Sequence, residues 1–224
     1  MALIWISKII RPTIYGFCLV MFITACSLIP GGMTPEDAVQ KTFSSPDFQV
    51  AIVRKINDGA IVFHHKPQPD QVAGDPTGMS FQLGFSYLDR RNGRWWTRSG
   101  LSGSFTPEQG SKAIFLITRV QIQGQDNGVN KEDDVTLPLI VFGKILDPRI
   151  VTIELVKDDG KTTQEIPSNS MFALLELNDS FPCKLRFRDN PGETVAEYSL
   201  AGLPEWQVQP ELSQKIDQAC PNLP

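Results

Sequence analysis

Two histidines, four cysteines and a scatter of carboxylates are the residues on which chemistry could rest. The histidines are adjacent, His64-His65, and follow the apolar run Ile61-Val62-Phe63. Neighbouring residues of a strand point to opposite faces, so the two are not placed to share a metal ion. A serine or cysteine triad would have to draw its base from this same pair, and His65, before Lys66-Pro67, reads as a strand end. Asp126, Glu132, Asp133 and Asp134 crowd into one short stretch, a density of oxygen ligands that suits Ca²⁺. Their spacing lacks the EF-hand order, and the stretch reads as a solvated linker. Glu193, Glu197, Glu205 and Glu211 are scattered, and no local spacing sets any two of them as the acid pair of a glycosidase. The sequence therefore predicts no catalytic residue, no metal and no cofactor.

The thiols are more informative. Lys8 and Arg11 precede an apolar stretch from Tyr15 to Ile23, and the small residues Thr24 and Ala25 follow it. These are the three parts of an export signal over residues 1–25. The next residue is Cys26, and Ile23-Thr24-Ala25-Cys26 resembles a bacterial lipobox. The resemblance implies that the Cys26 sulfur takes a diacylglycerol and becomes the first residue of the mature chain. A thiolate is the nucleophile such a modification needs. The competing reading is a transmembrane helix, but the apolar run is shorter than the roughly 20 residues that about 30 Å of hydrocarbon requires, and Pro30-Gly31-Gly32 breaks any helix beyond it.

Removal of Lys8 and Arg11 with the signal leaves 19 basic against 25 acidic side chains, a net charge of −6. Such a chain is not built to bind nucleic acid, and its overall charge offers nothing to anionic lipid, so the acyl chains must do the anchoring. Cys183 and Cys220 remain as an even pair. In an exported chain they are a disulfide candidate; two free thiols is the alternative.

The most unusual surface candidate is Arg90-Arg91-Asn92-Gly93-Arg94-Trp95-Trp96-Thr97-Arg98. Asn92-Gly93 predicts a two-residue hairpin turn, which sets Arg91 against Arg94, Arg90 against Trp95 and Asp89 against Trp96. Phe81, Leu83, Phe85 and Tyr87 mark the apolar face of the first strand, so Trp96 is expected in the core. Trp95 falls on the other face beside Arg90. Either a helix or the second module covers it there, or Trp95, Arg90 and Arg91 form a patch for an anionic envelope polymer or a partner.

The elements that must hold these residues are mostly strands. Thr34-Pro35-Glu36-Asp37 predicts a helix start, with Thr34 as the cap, Pro35 at the first position and acids against the dipole, running to about Thr42. Strands follow over 48–56, 60–65, 81–87, 94–98 and 114–122, with Asn57-Asp58-Gly59 as a hairpin turn and 66–78 as a loop. After an acidic linker at 124–134 come short strands over 139–143, 150–156, 161–166, 171–177, 183–188 and 194–200, separated by Pro, Asn and Gly. Regular short strands predict a sandwich, closed by a helix at 211–219. The expected fold is mostly β (α+β): a tether at 26–33, a helix-plus-antiparallel-sheet region at 34–123, then an Ig-like or transthyretin-like β-sandwich at 135–224. With no βαβ rhythm, a doubly wound enzyme fold is not expected.

Gly143, Ile145, Asp147, Pro148 and Ile150 follow a Gly-x-Ile-x-Asp-Pro-x-Ile order. With the lipobox and this layout, the chain resembles surface lipoproteins of Gram-positive spore-forming bacteria. The resemblance implies a lipid-anchored extracytoplasmic protein, and it carries the thought of a part in sporulation or germination. The sequence favours a binding or structural module of the envelope, held to the membrane through Cys26. An enzyme acting on an envelope polymer is the alternative.

Overall fold

The structure is a computed structural model that describes residues 31–57, 59–69, 79–108, 110–122, 135–176 and 181–221. The signal 1–25, Cys26, most of the tether and the acidic segment 124–134 lie outside the described residues. The chain is mostly β, as the sequence predicts, with antiparallel sheets and little helix.

Helix α1 (Pro35–Phe43) forms where its capping residues specify it. The Thr34 hydroxyl accepts the Asp37 amide at 3.2 Å, Pro35 occupies the first turn, and the chain leaves through Ser44 at a φ of 42°. Ala38 and Val39 turn inward and are fully buried. Four strands follow as a meander: β1 (Gln49–Ile56), β2 (Gly59–Pro69), β3 (Met79–Arg91) and β4 (Arg94–Phe105), paired in that order. β2 runs into the segment expected to be a loop, and β4 is much longer than 94–98. Asn92 (φ 51°) and Gly93 (φ 77°) make the β3–β4 turn, the doubly left-handed turn that matches strand twist.

The second sheet holds β5 (Ala113–Thr118), β8 (Leu139–Ile145) and β11 (Met171–Glu176), with β8 central. A small ribbon of β6 (Gln121–Ile122) and β7 (Val135–Thr136) flanks the 124–134 segment. The third sheet has the order β10 (Thr162–Glu165), β9 (Thr152–Lys157), β12 (Pro182–Arg188), β13 (Thr194–Ser199). Helix α2 (Pro210–Ala219) packs Leu212 and Ile216 into the core beside it.

The three sheets stack. β5, β8 and β11 read as continuous apolar runs because both their faces are buried. Phe115, Ile117, Leu139, Val141, Phe172 and Leu174 meet the third sheet and α2. Their neighbours Ile114, Leu116, Ile140, Phe142, Met171 and Ala173 meet the meander. Phe142 is the centre of that second layer, 5.5 Å from the Phe63 ring and 5.7 Å edge-on to Phe85. On the meander's outer face α1 covers Val62 and Leu88.

This stacking recasts the expected partition into 34–123 and 135–224. β5, from before the acidic segment, pairs with β8, from after it, through Ala113↔Ile145 to Thr118↔Ile140. The meander and the sandwich share a sheet, and their cores lie on its two faces. A polar connecting segment shows where the chain leaves the core; it does not show whether the strands it joins come back together.

Candidate functional site

The hairpin register is as read: Arg91↔Arg94, Arg90↔Trp95 and Asp89↔Trp96. The two tryptophans are placed differently from expectation. Trp95 packs under α1 with Ala38, Val39, Phe48 and Leu88 and is half-buried. It is therefore a packing residue and presents no open ring. Trp96, expected in the core, is also only half-buried, its indole N–H 3.4 Å from the Arg91 carbonyl. The apolar face ends at Tyr87, and the next residue on it is Asp89. That carboxylate accepts two bonds from Arg91, at 2.7 and 3.0 Å, and lies 3.6 Å from Arg98. Trp96 is thus the cross-strand partner of an ion-paired carboxylate, and its indole lies so close to Gly31 that a Cβ there would come within 2.9 Å of the ring. Arg90, Arg91 and Arg94 stay exposed around the turn.

Gly32 closes this end. It exchanges two backbone hydrogen bonds with Trp95, at 3.0 and 2.9 Å. Glycine is required, because any Cβ at 32 would come within 2.2 Å of the Ala38 nitrogen.

The histidines are buried and separate. His64 packs at a tilt against the stacked pair of Phe43 and Phe48, with ring centres 4.9 and 4.6 Å away, and its Nε2 is 3.5 Å from Ser86 Oγ. Burial lowers its pKa to about 4. His65 points to the other face and is likewise pushed down to about 4, first by burial and then by the Lys144 charge. Both are neutral packing residues at neutral pH.

Cys183 and Cys220 form a disulfide with Cα atoms 5.6 Å apart, fastening the end of α2 to β12. Asp126, Glu132, Asp133 and Asp134 lie outside the described residues, and the flagged carboxylates among the described residues do not converge. Glu197 pairs with Arg186 (2.7 Å) and Lys184 (3.2 Å) on the third sheet's outer face, and the Arg186 hydrogen bond lowers its pKa. Glu193, Glu205 and Glu211 are exposed. Asp147 of the Gly-x-Ile-x-Asp-Pro order caps its own turn: it accepts from the Arg149 amide (3.1 Å) and guanidinium (2.8 Å), which hold its carboxyl well below the usual range. Among the described residues no three His, Cys, Asp or Glu side chains gather as a metal site would need.

A concave site lies elsewhere, at the end of β4. A groove of about 480 Å³ is lined by Ser104 and Phe105 of β4, Thr106, Glu108 and Ser111 of the next loop, Ala113–Phe115 of β5, Tyr198 of β13, and Pro204, Trp206 and Gln207. All three sheets reach it. The turn before α2 is held against the edge of β5, where the Ile117 amide donates to the Gln207 carbonyl at 2.8 Å. Trp206 is consequently fixed at the rim with 59% of its surface exposed, its ring 5.9 Å from Phe105. Tyr198 is steadied edge-on by Phe115 at 5.3 Å and Phe187 at 5.7 Å. An exposed tryptophan on a braced backbone, with hydroxyls and an amide around it, is a ready surface for a ligand that has both an apolar face and hydrogen-bonding groups. Glu108 is the one carboxylate among the described lining residues. Sequence reasoning missed this site, because its parts are spread from 104 to 207. The one local signal was Trp206 in a Pro-rich turn.

No protein-family model, curated protein or solved structure matches the chain.

Proposed function

We propose that the protein is a lipid-anchored, extracytoplasmic binding module of the cell envelope, and that the groove around Trp206 is where its ligand sits. The anchor rests on Ile23-Thr24-Ala25-Cys26 and the charged and apolar segments before it. No helix of the described residues is long and apolar enough to cross a membrane. The observation that carries the binding reading is the meeting of three sheets at one groove with an exposed aromatic rim. Its volume lies within the range of small-ligand sites, roughly 300–1,000 Å³. Trp206 offers a ring face to the apolar side of a sugar ring, with the largely buried Phe105 ring behind it, and Ser104, Thr106, Ser111 and Gln207 offer partners to its hydroxyls. A polymer of the envelope built on sugar rings is the ligand this chemistry suits. An enzyme acting on such a polymer is less well supported, since a glycosidase pairs two carboxyl groups and the described lining supplies Glu108.

Co-sedimentation of the purified mature protein with insoluble peptidoglycan tests the groove. The wild-type chain should pellet and Trp206→Ala should stay in solution. Undiminished pelleting of Trp206→Ala would remove the groove as the seat. For the anchor, Cys26→Ala should move the protein from the membrane to the medium or leave it as precursor.

A further inference from the structure

We propose that the β3–β4 hairpin is a second membrane contact, docking its arginines on anionic phospholipid headgroups. The inference rests on the lipid-anchor reading and adds to it a surface and an orientation.

The first observation is where the tether leaves the fold. Gly32 is locked between the Trp95 backbone, by two hydrogen bonds, and the Ala38 backbone, which leaves no room for a side chain. Five residues separate Gly32 from Cys26, and the six steps of chain between them span at most about 20 Å. A fold of this length is roughly 40 Å across. The tether is therefore shorter than the molecule it holds, and only the surface around Gly32 can rest on the membrane.

The second observation is what that surface carries. Arg90 is the direct cross-strand partner of Trp95, Arg94 is its chain neighbour, and both are exposed. Arg91 and Arg98 both approach the Asp89 carboxylate. Beside the tether, among the described residues, the four guanidinium groups stand with Lys41 against Asp89 and the Glu36 and Asp37 carboxylates of the first turn of α1, so basic groups outnumber acids there, on a chain whose residues 26–224 carry a net charge of −6. Guanidinium groups bind phosphate oxygens in a fork geometry, and each basic side chain near an anionic leaflet raises affinity about fivefold. Overall charge argues against anionic lipid; its local distribution argues for it. A dissolved polyanion would offer the same phosphates, but the short tether brings the arginines to the lipid surface first.

The experiment uses the lipidated protein reconstituted in vesicles of phosphatidylcholine alone or with one-third phosphatidylglycerol. Phenylglyoxal modification of each arginine is followed by mass spectrometry, and the same digest shows whether Cys26 carries its acyl groups. Arg90 and Arg94 should react about fivefold more slowly on the anionic vesicles, a difference lost in high salt; Arg149, 65% exposed beside Asp147, should react equally on both. Replacement of Arg90 and Arg94 by Lys should preserve salt-sensitive docking, read as protection of Arg91. Arg90→Glu with Arg94→Glu should abolish that protection. Equal rates of Arg90 and Arg94 on the two vesicles, with Cys26 acylated, would overturn the contact and leave the anchor standing. Slowing on anionic vesicles with Cys26 unmodified would support the contact and remove the anchor. Slowing to the same degree by dissolved polyphosphate on neutral vesicles would overturn the lipid surface in favour of a soluble polyanion.

Discussion

At its start β4 carries Arg94 and Trp95 beside Arg90 and is tied to Gly32; at its other end it delivers Ser104 and Phe105 to an aromatic groove whose described lining holds a single carboxylate. One strand of 12 residues joins the two, a separation of roughly 35 Å. The basic end is built from one local hairpin. The groove is built from three sheets and the turn before α2. A hairpin of adjacent residues can present charge whatever lies behind it, whereas a groove of dispersed residues exists only while the sheets are stacked. The two ends should therefore respond differently to damage.

The largest effect should come from the shared middle sheet. Phe142→Ala removes the ring that joins the meander to that sheet, and should cost about 3–5 kcal/mol in urea unfolding. Ligand binding at the groove should fall with it. Reduction of Cys183–Cys220, which closes a loop with a sequence separation of 37, should cost about 4 kcal/mol in the chain-entropy account. It should loosen α2 and the Trp206 rim while arginine reactivity at the hairpin stays unchanged. If reduction altered both ends equally, their independence would fail.

Trp95→Ala should cost about 2 kcal/mol, because the ring fills the space under α1. Trp96→Ala should cost less, the reverse of the order expected from strand alternation alone. Thermal unfolding of the two variants decides between them. The histidines add a pH dependence on the meander side. In the unfolded chain they take protons near pH 6.5, and in the fold only near 4. Between those values the unfolded form holds more protons, so stability should fall as pH drops from about 6.5 to about 4, by at most about 1.4 kcal/mol per unit for each imidazole. His64→Phe should flatten part of that slope. Smallest in stability is Trp206→Ala: at 59% exposure it should shift unfolding by no more than about 0.5 kcal/mol while removing groove binding.

The local features were legible in the sequence. Thr34-Pro35 gave the helix start, Phe81-Leu83-Phe85-Tyr87 the half-buried strand, Asn92-Gly93 the turn and its register, because each is decided by neighbours a few residues away. The course of β5 was not. Its apolar run fits a buried strand anywhere, and nothing near Ala113 says that its partner is Leu139–Ile145 across an acidic segment. Trp96 was misplaced for a related reason. Alternation assigns a face, but the depth of the core under that face is set by another sheet. The groove was illegible altogether, since Phe105, Tyr198 and Trp206 meet only after three sheets have stacked.

The central claim is the polarity of the molecule, with the tethered basic end at the membrane and the groove held away from it. Energy transfer from a dye to acceptor lipids in the bilayer plane measures this directly. The lipidated protein carries the dye either at Lys55→Cys, on the hairpin end of the meander, or at Thr106→Cys, beside the groove; both positions are exposed. The account predicts strong transfer from position 55 and weak transfer from position 106, a difference in height of roughly 30 Å. Equal transfer from the two, or stronger transfer from 106, would contradict it.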